Sequence, residues 1–146
     1  MMTKKVIGAG VIAFDKHSGK ILLDRRGMEG DSPNTWVPFG GTFEEIDGTP
    51  RTTAKREFWE ETGVSVPYNL SLKPFYVSND KFLDFYSYIG IFDGQFKVTI
   101  CEESIGYGWY DLENLPDNLH PGFESMLKDK LNDLIEIRDR LMELNY

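Results

Sequence analysis

Three glutamates, Glu57, Glu60 and Glu61, stand three and four residues apart near the middle of this 146-residue chain. In an α-helix, that spacing places their side chains within an arc of roughly 100° on one face. Neighbouring like charges on a helix repel by roughly 0.2–0.5 kcal/mol per pair, so a clustered acidic face favours a nearby cation. Carboxylate oxygens suit Mg²⁺, with Mn²⁺ as a substitute, and both ions also accept phosphate oxygens as ligands. A solvated acidic face would explain the same pattern, so the surrounding sequence must decide between the two.

The charge balance limits the kind of partner. The net charge is −8, which removes the electrostatic basis for binding duplex nucleic acid. A phosphorylated substrate would bring further negative charge, and a divalent cation held between carboxylates and phosphates would offset it. The single cysteine, Cys101, excludes an intramolecular disulfide framework and suits a reducing compartment. With no long apolar run near the N-terminus, we expect no signal peptide, no membrane span and a cytoplasmic protein.

The glutamates lie in the best-defined predicted element. Thr49 is a favourable N-cap, Pro50 suits the first helical position, and Gly63 suits the left-handed residue that ends a helix. The sequence therefore predicts a helix of about 13 residues, roughly 20 Å long, between these signals. The three carboxylates then lie in its second half.

The other elements are read from β-rich and amphipathic patterns. Alternating and continuous apolar runs predict strands at 6–14, 21–23, 72–77, 82–92, 96–100 and 109–110. The first two form a hairpin, the 82–92 strand is apolar on both faces, and residues 27–34 and 102–108 are expected to be loops. Apolar residues near 3.6 spacing predict a long helix over 124–144. We expect a single α/β domain over 1–146: a mixed β-sheet flanked by helices in an α/β/α sandwich, with a long C-terminal helix.

The glutamates belong to a longer pattern. Residues 56–64 read Arg-Glu-Phe-Trp-Glu-Glu-Thr-Gly-Val, preceded by Trp-Val-Pro-Phe-Gly-Gly at 36–41 and followed by Glu103, Trp109 and a Leu-x-x-Leu-Pro turn at 112–116. These three pieces resemble the signature and flanking motifs of the Nudix hydrolase family. One departure stands out: residues 41–56 hold one residue more than the family pattern, so its spaced glutamate has no clean counterpart. Glu44, Glu45 and Asp47 are the carboxylates that could replace it.

The resemblance implies Mg²⁺-dependent hydrolysis of a diphosphate linkage in a nucleoside diphosphate derivative, by attack of water at phosphorus. It assigns the metal to three carboxylates of the helix, with a backbone carbonyl and a loop carboxylate as further ligands: Glu57, Glu60, Glu61, Gly40 and Glu103. Arg56 would hold one carboxylate in place through its forked guanidinium. The general base comes from the helix in some members and from the loop in others, so Glu57 and Glu103 are equal candidates at this point.

Four further residues are candidates for holding the substrate. Arg25 and Arg26 end the second strand and could reach phosphates, although solvent-facing charges at a strand end explain them equally well. Trp36 and Tyr86 could stack on a base, but aromatic residues at β-spacing more often fill cores. The identity of the nucleotide stays open.

Two other functions compete with the hydrolase. A Nudix-fold module could bind nucleotides without cleaving them. Loss of one of the metal-binding carboxylates would favour that alternative, but Glu57, Glu60 and Glu61 are all present. A sugar-nucleotide hydrolase that attacks at carbon would carry an altered signature, and only the extra residue before Arg56 favours it. The apolar stripe of the last helix most simply packs on the sheet, and a dimer seam is the alternative, so the chain is expected to be a monomer or a homodimer.

Overall fold

A computed structural model describes residues 5–144. The strands are β1 (Val6–Asp15), β2 (Ile21–Arg26), β3 (Trp36–Val37), β4 (Gly40–Thr42), β5 (Asn69–Leu70), β6 (Tyr76–Asn79), β7 (Leu83–Phe92) and β8 (Ser104–Tyr110). A short 3₁₀ turn, Glu45–Asp47, precedes helix α1 (Pro50–Thr62), and helix α2 (Pro121–Glu143) ends the described chain.

The sheet is mixed, as predicted. The long strands β1 and β7 run parallel side by side, whereas β2 joins β1 as an antiparallel hairpin partner at Phe14 and Ile21. Toward its N-terminal end, β1 pairs instead with β4, from Gly8–Thr42 to Gly10–Gly40. Strands β2 and β4 therefore share one edge of β1, and the turn that leads to α1 starts from the middle of the sheet.

Two apolar layers cover the two faces of the sheet. Phe58 of α1 packs with Leu22, Phe39 and Phe92 on one face. Leu134 and other residues of the predicted α2 stripe pack with Ile21 on the opposite face. Alternate residues of β2 thus point to different layers, since side chains alternate across a strand. Strand β7 contributes to both layers, which confirms that it is covered on both sides.

The signals that bound α1 act as the sequence predicts. The Thr49 side chain accepts a hydrogen bond from the Thr52 backbone N–H, and Pro50 occupies the first turn. Gly63 takes a left-handed conformation with φ 65°, and its N–H donates to the Trp59 carbonyl. The helix face that carries the glutamates is therefore fixed in register by caps at both ends.

Residues 96–100 and most of residues 72–77 are not the strands that were predicted. The 96–100 segment closes the end of α1, since the Thr99 N–H donates to the Thr62 carbonyl and the Phe96 ring packs on Phe58. In the other segment only Tyr76 and Val77 are in β6, because the Ser71 hydroxyl donates to the Lys73 carbonyl and bends the chain before it.

The predicted loop 102–108 is also wrong in its second half. Ser104–Tyr110 forms β8, which pairs antiparallel with the whole length of β2. Within this strand Gly108 allows a close approach of its neighbour, since a Cβ at this position would lie 2.8 Å from the Tyr110 ring. Among the described residues, the structure contains no helix long and apolar enough to cross a membrane.

Candidate active site

An acidic cleft of about 600 Å³ opens between α1, β4 and the turn before β8. The glutamates of the α1 face line it, and the loop carboxylate Glu103 lies across from them. The rest of the lining is Gly40, Gly41, Thr42, Glu44, Cys101 and Glu102. The structure therefore brings together every residue that the sequence assigned to the metal: Gly40, Glu57, Glu60, Glu61 and Glu103.

The glycine pair lets the backbone approach the helix. A Cβ on Gly40 would lie 2.7 Å from the Ala9 carbonyl oxygen, so the neighbouring strand leaves no room for a side chain. A Cβ on Gly41 would collide with the Glu57 carboxylate itself. Only glycine at this position allows Glu57 to lie against β4, and this close approach holds the carboxylate at the cleft wall.

Of the three carboxylates that could replace the missing signature glutamate, Asp47 is the one that pairs with Arg56. Its two carboxylate oxygens accept a forked pair of bonds from Arg56, from Nε at 2.7 Å and from Nη2 at 3.0 Å. The Thr53 hydroxyl and the Glu44 N–H donate to the same carboxylate at 2.8 and 2.9 Å. The guanidinium of Arg56 and these donors hold the pKa of Asp47 well below its usual range. Asp47 is therefore a buried acidic partner that fixes Arg56 beside the start of the cleft wall.

Arg56 connects this anchor to the cleft. Its Nη1 donates to Glu57 at 3.0 Å and to Glu60 at 3.1 Å, and its Nη2 also donates to the Thr42 carbonyl. The bond to Asp47 raises the pKa of the guanidinium, which stays fully charged. Burial nevertheless raises the pKa of Glu57, with Arg56 opposing the shift. Arg56 thus orients two of the candidate metal ligands without neutralising the whole cleft.

Glu61 lines the cleft and forms no ion pair with a cationic side chain among residues 5–144. Burial, followed by the negative charge of Asp24, raises the pKa of Glu61 to about 9. Its Oε1 is fully buried and has no hydrogen-bond partner, while the Gly40 N–H donates to the carboxyl group. A buried carboxylate that lacks a cation is costly, so this atom is a good donor for an ion that reaches it.

Asp24 is a residue that the sequence reasoning missed. It is 6 % exposed on β2, two residues after Leu22, and so faces the α1 layer and Glu61. Burial raises the pKa of Asp24 to about 6. The available signal was that Asp24 directly follows the apolar run 21–23 and is two residues from Leu22, so a continued strand would turn it toward the same face as Leu22.

Glu103 reaches the cleft from the turn before β8. The Gly27 N–H donates to the Glu103 carbonyl at 2.8 Å, which ties this turn to the end of β2. A Cβ on Gly27 would lie 2.9 Å from that carbonyl oxygen, so glycine is needed for the contact. The Glu103 side chain is exposed and makes no ion pair within residues 5–144.

The donors around the cleft fit a hard divalent cation. All are carboxylate or backbone oxygens, the ligands that Mg²⁺ and Mn²⁺ prefer, and the orphaned Oε1 of Glu61 provides a position that calls for positive charge. Within the described range no three acidic, histidine or cysteine side chains already converge on one point. An ion would therefore be held by some of these carboxylates together with water.

The four predicted substrate-binding residues are dispersed. Arg25 donates to the Asn34 side chain and lies over the Trp36 ring, which packs in the α2 layer away from the cleft. Tyr86 packs against the α1 layer. Arg26 pairs in register with Ser104 of β8 and donates twice to the Asp31 carbonyl. Their roles in binding stay predictions.

Comparison with known proteins identifies the family of this chain. A protein-family model described as NUDIX domain matches residues 4–130. A MutT-like protein of Streptomyces ambofaciens is 43 % identical over 58 residues, and the dihydroneopterin triphosphate diphosphatase of Haemophilus influenzae is 36 % identical over 59 residues; each match covers 40 % of this chain. The chain spans about a third of the length of these curated relatives, 33 % and 35 %.

Solved structures share the fold across nearly the whole chain. A MutT/nudix family protein from Enterococcus faecalis has a TM-score of 0.74 at 16 % identity, covering 93 % of this chain and 64 % of its own. A bifunctional NMN adenylyltransferase/ADP ribose pyrophosphatase from Francisella tularensis, complexed with AMP and a Mn ion, has a TM-score of 0.62 at 15 % identity, covering 91 % and 43 %. With the family model matching most of its length, the chain belongs to the NUDIX domain family.

Proposed function

We propose that this chain hydrolyses a diphosphate linkage in a nucleoside diphosphate derivative with Mg²⁺, by attack of water at phosphorus. The observation that carries the proposal is the buried, unpartnered carboxylate oxygen of Glu61 beside Glu57 and Glu60. A site that concentrates this much unbalanced negative charge cannot attract a diphosphate by itself. It fits a divalent cation that carries the substrate phosphates with it.

Some residues of the cleft would bind the metal directly, and others hold those ligands in place. Glu57, Glu60 and Glu61 would hold the metal together with the Gly40 carbonyl, and Glu103 is kept for proton transfer in this proposal. Arg56 fixes the rotamers of Glu57 and Glu60 through Nη1, and Asp47 fixes Arg56. When bound, the metal supplies neutralisation of the diphosphate and a positive field at the reacting phosphorus.

Glu103 is the stronger of the two candidates for the general base. Glu57 accepts a hydrogen bond from Arg56 and lies against Gly41, so its carboxylate is already engaged. The exposed Glu103 carboxylate makes no ion pair in the range that the structure describes, and it faces the same cleft. In this proposal Glu103 accepts the proton of the attacking water as the bond to phosphorus forms and the diphosphate bond breaks.

Two of the matched proteins support a nucleotide-type substrate. One is named a dihydroneopterin triphosphate diphosphatase, and the other was solved with AMP and a Mn ion. Both names describe chemistry at phosphate groups, and both are consistent with a compound that carries a base or pterin on a polyphosphate. The unpaired thiol of Cys101 at the cleft fits a reducing, cytoplasmic setting.

A substrate panel tests the proposal. Nucleoside triphosphates, ADP-ribose, dinucleoside polyphosphates and dinucleotide coenzymes are incubated with the protein and Mg²⁺, and products are separated by chromatography. We expect hydrolysis of at least one compound, with turnover falling by about a hundredfold or more in EDTA and in Glu60→Gln. The matched control is Glu136→Gln, an exposed glutamate on α2 that should leave turnover unchanged. Undiminished activity in Glu60→Gln would contradict the assigned metal site.

The site of attack is tested with labelled water. Hydrolysis in H₂¹⁸O by attack at phosphorus places the label in a phosphate product. Label in a sugar hydroxyl would instead identify the carbon-attacking reaction of a sugar-nucleotide hydrolase. A protein that binds nucleotides with Mg²⁺ but releases no product from any of them would be the silent binding module.

A further inference from the structure

Three buried side-chain oxygens in the described chain have no hydrogen-bond partner: Asp24 Oδ1, Glu61 Oε1 and Ser104 Oγ. They come from three different elements, β2, α1 and β8, yet they lie together. Asp24 is the strongest charged neighbour of Glu61, and the Ser104 hydroxyl lies beside the Asp24 carboxylate. The unsatisfied polar atoms are thus concentrated at one point beneath the inner end of the cleft.

No side chain nearby neutralises this group. Neither Asp24 nor Glu61 forms an ion pair within residues 5–144. Arg26 is the nearest cation of β2, but its Nε and Nη2 donate to the Asp31 carbonyl. Two carboxyl groups that face each other away from water need a compensating positive charge or a proton.

The other two buried aspartates show that this fold can satisfy such groups. Asp15 is 4 % exposed and accepts bonds from the His17 N–H at 3.0 Å and the Ser18 hydroxyl at 2.7 Å. Asp47 is 7 % exposed and accepts from Arg56, Thr53 and Glu44. Asp24 alone among these three buried aspartates keeps an unpartnered oxygen, which points to a ligand rather than to packing.

We propose that Asp24, Ser104 and Glu61 form an inner cation position beneath the catalytic cleft, with Asp24 as the ligand that distinguishes this chain. The donors are two carboxylates and one hydroxyl, all oxygen, and water would complete the coordination of Mg²⁺ or Mn²⁺. The proposal rests on the proposed metal-dependent function because Glu61 is shared by both positions.

A direct measurement of metal binding tests the inner cation position. The purified chain is stripped with EDTA, and Mn²⁺ binding is measured by electron paramagnetic resonance of the free ion. We expect Asp24→Asn to lose one equivalent of bound Mn²⁺ or to weaken the tightest binding by about 10- to 100-fold. Ser104→Ala removes a neutral donor and should weaken the same binding less. Asp15→Asn is the matched control, a buried aspartate with satisfied oxygens, and should bind Mn²⁺ as the unaltered chain does.

Thermal unfolding gives a second readout. Without metal, Asp24→Asn should melt at a higher temperature than the unaltered chain, because the substitution removes a buried unpaired carboxylate. The gain in melting temperature on adding Mn²⁺ should shrink in the same variant. Superimposable Mn²⁺ isotherms for Asp24→Asn and the unaltered chain would overturn the inner position. If Asp24→Asn fails to fold, unchanged Mn²⁺ affinity in Ser104→Ala overturns it instead.

The two proposals fail differently. If the unaltered chain binds Mn²⁺ and hydrolyses a diphosphate compound while Asp24→Asn binds Mn²⁺ identically, only the inner position is wrong. If the unaltered chain and Asp24→Asn differ in Mn²⁺ binding but neither hydrolyses any diphosphate compound, the hydrolase is wrong and the cation position stands.

Discussion

Helix α1 carries charged side chains to two regions that balance their charge in opposite ways. At the outer region, Arg56 joins Asp47, Glu57 and Glu60 in a network of ion pairs. At the inner region, Glu61 faces Asp24, and each carboxyl group keeps a buried oxygen without a partner. The two regions lie within about one and a half helical turns of each other, and they differ because Arg56 meets Asp47 whereas Glu61 is packed beside Asp24 of β2.

The charges of the outer region are balanced by protein groups, whereas those of the inner region are not. In the outer network Arg56 donates to Asp47, Glu57 and Glu60, and these bonds restrain the rotamers of the two glutamates. The inner pair is destabilising until a cation or a proton arrives. Substitutions in the two regions should therefore change the stability of the metal-free protein with opposite signs.

The largest effect is expected at Glu61. Glu61→Gln should lower turnover with Mg²⁺ by about a hundredfold or more, since even outer partners of metal ligands cost about 10- to 100-fold. The same variant should be more stable than the unaltered chain in EDTA above pH 8, where Glu61 would otherwise ionise in a buried position. Steady-state kinetics and thermal unfolding measure the two effects. A loss of activity accompanied by lower stability in EDTA would contradict the comparison.

Asp47→Asn should give the second largest effect, and it should lower the stability of the metal-free chain, whereas Glu61→Gln should raise it. The variant loses the charge that Arg56 pairs with, so Glu57 and Glu60 are less firmly placed and the Mg²⁺ concentration for half-maximal activity should rise by about 10- to 100-fold. Stability in EDTA should fall because Arg56 loses its forked acceptor. Asp47→Glu restores the charge and should recover part of the metal dependence. Equal Mg²⁺ dependence in Asp47→Asn and the unaltered chain would show that Arg56 positions the ligands without help.

Local signals in the sequence predicted much of the outer region. Thr49, Pro50 and Gly63 act within a few residues of where they stand, so the bounds of α1 and the shared face of its glutamates followed directly. Which of Glu44, Glu45 and Asp47 would lie beside Arg56 could not be chosen from the sequence. That choice depends on the 3₁₀ turn, in which Asp47 is buried while Glu44 and Glu45 are exposed.

The inner region was not predicted because its contacts are distant in sequence. Asp24, Glu61 and Ser104 meet only when β2 pairs with β8 and α1 packs over the sheet. The error at β8 hid this contact, because a loop at 102–108 would not have placed Ser104 opposite Arg26. Patterns of spacing report which residues share one element, but they do not report which elements lie side by side.

The pH dependence of stability should also differ between the two regions, with a smaller effect than the substitutions at Glu61 and Asp47. Burial raises the pKa of Glu61 from 4.5 to about 9 and that of Asp24 from 3.8 to about 6. The folded chain therefore binds more protons than the unfolded chain between these values, and the metal-free protein should lose stability as the pH rises from about 4 to 9. Asp47 acts in the opposite direction, since its lowered pKa contributes stability that is lost only in acid.

The control for this experiment is the pH dependence of stability measured in the presence of Mg²⁺. A cation that replaces the proton at the inner region should flatten the decline in stability, and its binding should release protons at neutral pH. Urea unfolding at several pH values, in EDTA and in Mg²⁺, measures both curves. A metal-free chain whose stability is constant or rises between pH 6 and pH 9 would contradict the inner assignment.

The smallest effect is expected at Thr53. A substitution there tests whether the outer network still positions Arg56 after losing one hydrogen-bond donor. Thr53→Val keeps the shape of the buried side chain but removes the hydroxyl that donates to Asp47 at 2.8 Å. Asp47 retains Arg56 and the Glu44 N–H, so the variant should lose about 1 kcal/mol of stability, or roughly 3 °C in melting temperature. Turnover and Mg²⁺ dependence should stay within about twofold of the unaltered chain, because the forked bond to Arg56 persists. A loss of turnover as large as that in Asp47→Asn would mean that Asp47 places Arg56 only when every donor is present, and the outer region would then be as finely balanced as the inner one.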